Sequence, residues 1–161
     1  MCATFAVAGQ PPAPARPRPC AAPSFHQFDF WIGDWEVLSR DGKVIGHNRV
    51  ESIEGGCGIQ ENWTGAAGGT GRSLNSFMAD DQKWHQFWIG SGGGILHLSG
   101  TVSNGVLTYR RPSMSPAGAV VENRLSFTKN ADGSVRQFWE TSADGGQTWQ
   151  VSFDGKYVRR K

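Results

Sequence analysis

Phe28-Asp29-Phe30-Trp31-Ile32-Gly33-Asp34-Trp35-Glu36-Val37 is the densest signal in the chain. Its first half suits a short helical turn over residues 24–31, and Gly33 then opens a strand that runs to Leu38. A glycine followed two residues later by a tryptophan, at the start of the first strand, marks where an irregular N-terminal segment gives way to a regular β fold.

Outward from that point the punctuation is that of hairpins. Asp41-Gly42, Asn104-Gly105, Asp132-Gly133 and Asp154-Gly155 favour the positive-φ geometry of tight turns, whose twist matches that of the strands they join. Between them, strands are predicted over 33–38, 43–52, 58–64, 73–79, 83–90, 95–101, 106–111, 120–129, 134–142 and 148–160, with Asp154-Gly155 breaking the last as a bulge or a further hairpin. About ten short antiparallel strands in one domain must either close or stack as two sheets, and closure also removes exposed edges. The expected fold is therefore all-β, a barrel with a short N-terminal helical turn, and a β-sandwich is the alternative. No repeat of about 20–50 residues supports a propeller or solenoid.

At 161 residues there is room for one core. The 22 glycines and 7 tryptophans against 19% charged residues suit short strands and tight turns. A net charge of +2 gives no case for nucleic acid. No polar-free stretch approaches the roughly 18 residues of a membrane helix. Residues 1–24 contain six of the eight prolines and no hydrophobic alternation, so this segment is expected to be a disordered tail ahead of a domain over 25–161. Its small-residue start over residues 2–10 looks like the end of a secretion signal with the true start upstream, which places the protein in a bacterial periplasm or outside the cell. In such a compartment Cys20 and Cys57 are the pair to form a disulfide. There is no Cys-x-x-Cys pair and the four histidines are scattered, so no structural zinc is expected.

The Gly33-x-Trp35 step, placed after a helical turn and before about ten strands, resembles the lipocalin signature. That resemblance implies that Trp35 closes one barrel end and that Arg159 or Arg160 from the last strand packs across its face. The stretch from Cys20 to Tyr157 also resembles a family of small exported bacterial proteins with calycin-like barrels. The resemblance is carried by residues 28–35, Gly56-Cys57, Glu61-x-Trp63, Gly71-x-Ser73-Leu74-Asn75 and Trp84-x-Gln86-x-Trp88. It continues through Arg136-Gln137-x-Trp139-Glu140, residues 142–149 and Phe153-Asp154-Gly155-x-Tyr157. It implies a fold without an activity. Related ten-stranded barrels include the haem-binding nitrobindins, whose histidine ligand lies late in the chain. Here the last histidine is His97, so neither haem nor another cofactor is expected. Ser142-x-Asp144-x-Gly146-x-Thr148-Trp149 is similar to the Asp-box of sialidase-type propellers. It occurs once, and is read as a structural hairpin in which Asp144 caps turn amides, Gly146 bends and Trp149 packs beneath.

Strand parity places Trp84, Gln86 and Trp88 on one face, Gln137 with Trp139 on another, and Glu61 with Trp63 on a third. Each group joins wide aromatics to a polar tip, the mixture of a pocket that holds an apolar ligand and orients it. Asn75 is a further polar candidate, and Arg124 offers a partner for a ligand carboxylate or for Glu61. Glu61 is the candidate general acid or base, because apolar surroundings raise a carboxylate's pKa. Three function classes remain open. One is a carrier of a small hydrophobic molecule; another is a calycin-type isomerase, hydratase or cyclase using Glu61. The third is a non-catalytic envelope protein whose aromatics form a homodimer face.

Overall fold

Ten antiparallel strands form the wall in the computed structural model, which describes residues 19–115 and 117–160. They are β1 (Gly33–Leu38), β2 (Val44–Ile53), β3 (Gly58–Gly65), β4 (Thr70–Met78), β5 (Lys83–Gly90), β6 (Ile95–Ser103), β7 (Val106–Met114), β8 (Val120–Lys129), β9 (Val135–Ser142) and β10 (Gln150–Arg159). Each pairs with its sequence neighbours, and β10 returns to pair with β1, with Trp35 opposite Arg159 and Val37 opposite Tyr157. The barrel is closed, so its ladder leaves no edge for another chain to extend. Among the described residues no helix is long and apolar enough to cross a membrane.

The hairpin chemistry explains the up-and-down path. Asn104 and Gly105 both have positive φ, at 50° and 74°, the combination a two-residue type I′ turn requires. Asp154-Gly155 behaves differently from the expectation. Strand β10 runs through it unbroken, and the register shift falls earlier, between Val151 and Phe153. Gly155 is there for space: a Cβ on it would lie 2.6 Å from the Phe153 ring and 2.9 Å from Val37. Asp154 points outward to a two-pronged ion pair with Arg136, at 2.8 Å for each prong.

The N-terminal segment forms two 3₁₀ turns, Pro23–His26 and Asp29–Trp31, and seals one end of the barrel. Phe28 and Trp31 are fully buried and stack at 4.9 Å between centroids. Around them pack Trp84, Tyr109, Phe127 and Tyr157. The expected tail lies outside the described residues up to residue 18. Its last residues belong to the fold, because Cys20 is disulfide-bonded to Cys57, 37 positions on. In the chain-entropy account a loop of that size stabilises by about 4 kcal/mol.

Candidate functional site

At the end opposite the plug, the lumen opens into a cavity of about 170 Å³ lined by Glu61, Trp63, Gln86, Trp88, Leu96, Leu125, Gln137, Trp139, Ser152, Phe153 and Tyr157. The three sequence groups thus meet from β3, β5 and β9. The strand mates that carry them also explain how three indoles fit inside one small barrel. A Cβ on Gly71 would lie 2.6–2.7 Å from Nε1, Cε2 and Cζ2 of Trp88, and one on Gly90 would lie 2.3 Å from the same ring. Gly71 and Gly90 are direct cross-strand partners. The Trp88 ring therefore lies flat on a bare patch of wall and turns its other face to the lumen. Trp63 rests on Gly46 in the same way, and meets Phe153 edge-to-face at 6.1 Å.

Beneath the aromatic rim lies a connected polar floor. Glu61 is 5% exposed; its Oε1 accepts from Asn48 Nδ2 at 2.8 Å and its Oε2 from the Ser73 hydroxyl at 2.7 Å. Ser73 Oγ accepts in turn from Asn75 Nδ2 at 2.9 Å, and Asn75 Oδ1 accepts from Gln86 Nε2 at 2.9 Å. Asn75 Nδ2 also reaches the Ile59 carbonyl at 3.3 Å, which fixes the direction of the Asn75 amide and through it that of Gln86. On the other side Asn48 Nδ2 reaches the Tyr157 hydroxyl at 3.4 Å, and Tyr157 donates to Gln137 Oε1. This leaves Gln86 Oε1 and Gln137 Nε2 with no partner among the described residues, on side chains that line the cavity.

Burial raises the pKa of Glu61, opposed by the hydrogen bonds from Ser73 and Asn48 and more weakly by the charge of Arg72. Arg72 is on the outside, where it donates to the carbonyls of Trp63 and Gly71. Burial, and secondarily the charge of Glu61, pushes the Tyr109 and Tyr157 phenols well above their usual range. Both hydroxyls therefore serve the floor as donors.

Two candidates lie elsewhere. Trp84 shares the inward face with Gln86 and Trp88 but sits deeper, in the sealed end against Phe28 and Phe77, because parity sets a residue's face and not its depth. Arg124 points outward, alternating with the buried Asn123 and Leu125; it bonds Glu140 at 2.8 Å and stacks on Trp149 at 4.2 Å. It reaches neither Glu61 nor the lumen. Asn75 stands one bond behind the surface of the cavity, holding Gln86. Asn48, Ser73, Leu96, Leu125, Phe153 and Tyr157 were missed by the sequence reading. Glycines within or at the end of strands, at Gly46, Gly71 and Gly90, were the available signal for where the Trp63 and Trp88 rings approach the wall.

The Asp-box is a hairpin between β9 and β10. Asp144 accepts from the amides of Gln147 and Thr148 and from the hydroxyls of Ser142 and Thr148, and these bonds lower its pKa to about 2. Trp149 Nε1 donates to the Gly146 carbonyl at 3.0 Å. None of these residues lines the cavity. The four histidines also lie away from it, with His85 bonded to Asp81 on the outer wall.

No protein-family model and no curated protein matches the chain. The closed ten-strand antiparallel barrel is compatible with a calycin-like fold, and the functional reading rests on the site.

Proposed function

We propose that this barrel binds and carries a small, largely hydrophobic molecule in its open lumen, in an exported protein. The observation that carries this reading is the pairing of an aromatic-walled cavity with two glutamines that hold unused hydrogen-bonding atoms at its floor. Neither atom is among the buried unpaired ones; both open on the lumen, where a guest can take the place of water as their hydrogen-bond partner. The tryptophans support a lumen over a dimer face, since none of the seven is exposed. The Cys20–Cys57 bond supports export, because disulfides persist in oxidising compartments.

Native mass spectrometry of the full chain, followed by organic extraction, tests the reading. A bound small molecule is expected in the parent and absent from Leu96→Trp, which fills the mouth. A parent free of guest whose tryptophan emission responds to no apolar probe would remove the carrier reading.

A second reading, Glu61 as the acid or base of a small isomerase, hydratase or cyclase, is favoured by its place in the cavity and its upward pKa displacement. Turnover lost in Glu61→Gln while ligand binding persists would select it over carriage.

A further inference from the structure

We propose that the guest selected by this lumen is a small organic cation, an ammonium group carried on a single ring. This rests on the lumen-binding reading and specifies its ligand class.

Charge is the first argument. Glu61 brings a carboxylate to the cavity, yet among the described residues no Lys, Arg or His lines it. Arg124, which the sequence offered as a partner for Glu61 or for a ligand carboxylate, is spent on Glu140 outside, and Arg72 is spent on backbone carbonyls. Asn48 and Ser73 hold the carboxylate by one hydrogen bond per oxygen, which leaves lone pairs on both. Gln86 Oε1 is a free acceptor at the same floor. An ammonium supplies the missing charge and a donor for Gln86 Oε1, while Gln137 Nε2 is left for an acceptor on the guest or for water. An anionic guest would face the carboxylate with nothing to neutralise either.

The walls supply the second argument. Trp63 and Trp88 lie flat against glycines and face inward, and Trp139 is held by a 3.0 Å bond from its Nε1 to Asn123. Indole faces carry negative electrostatic potential and attract a cation held over them, most strongly where water is excluded. The same faces stack on a flat ring. Size completes the description. An apolar cavity of about 150 Å³ accepts a benzene, so about 170 Å³ holds one ring with a short arm.

The test uses the full chain and three ligands that share a ring: 2-phenylethylamine, 2-phenylethanol and phenylacetate, titrated near neutral pH by calorimetry and tryptophan emission. The amine is expected to bind more tightly than the alcohol by on the order of tenfold or more, the scale of a desolvated cation–π contact, and phenylacetate more weakly than either. Glu61→Gln, with its fold verified by circular dichroism, should lower the amine's affinity more than the alcohol's and so shrink the amine's advantage, the indole faces keeping the remainder. An alcohol as tight as the amine in the parent, or an anion tighter than both, overturns the cationic guest while the lumen reading stands. If none of the three binds and no guest is extracted from native protein, the lumen reading falls with it. The ligand comparison in the parent needs no variant to fold.

Discussion

The guanidinium of Arg159 lies 4.4 Å from the centre of the Trp35 ring, across the seam where the last strand pairs with the first. The same side chain donates to the Ile32 carbonyl at 3.1 Å, and Trp35 Nε1 donates to the Trp31 carbonyl at 2.8 Å. A Cβ on Gly33 would lie 2.4 Å from Arg159 and 3.1 Å from Trp35, so the glycine makes the room in which the cation and ring meet. Together these contacts tie both ends of the wall to the plug. Arg160 takes no part; it pairs with Asp34.

Trp35→Ala should therefore cost roughly 3–5 kcal/mol, the range for removing a packed large aromatic from a core. Arg159→Gln keeps the ring buried and should cost about 0.5–2 kcal/mol, set by the cation–π contact. Urea unfolding of both variants measures the difference. Equal costs would mean that the ring contributes nothing beyond its partner.

Glu61 gives a pH signature with a defined sign. Its pKa is raised by burial from the ordinary 4.5, so the folded chain binds that proton more tightly than the unfolded chain. The resulting cost to stability is present above the folded value and disappears below 4.5, where both states are protonated. The groups facing it are Asn48, Ser73, Tyr109 and Tyr157, with Arg72 outside the wall. Glu61→Gln is expected to melt above the parent at neutral pH, with the two converging under acid. A difference that does not change with pH would show that the carboxylate titrates alike in both states.

The flat seat of Trp88 on Gly71 can be tested by filling it. A Cβ within 2.7 Å of three ring atoms forces the indole into the lumen, so Gly71→Ala should cost about 1–3 kcal/mol as overpacking and weaken any guest. Gly69 has no atom within 4 Å of an added Cβ, and Gly69→Ala should stay within about 0.5 kcal/mol of the parent. Melting curves and tryptophan emission read both; an unperturbed Gly71→Ala would place Trp88 away from that wall.

Local chemistry alone determined much of this protein. Alternation and turn residues marked all ten strands, because side-chain parity and positive-φ turns depend on near neighbours. Parity also grouped Trp84, Gln86 and Trp88 correctly on one face. The tertiary structure decided how deep each of them sits, since depth follows from strand register and from which end the 3₁₀ segment plugs. Register likewise brought Asn48 and Ser73 to Glu61, with Val50 and Ser73 directly opposite Glu61 on the two flanking strands. Gly155 reads as a turn in isolation; inside the barrel it is wall, because Phe153 and Val37 occupy the space its side chain would need. Arg124 alternates with its neighbours either way, and only closure of the sheet assigned it the outside. Such choices depend on contacts between strands distant in sequence, and barrel closure settles them all at once.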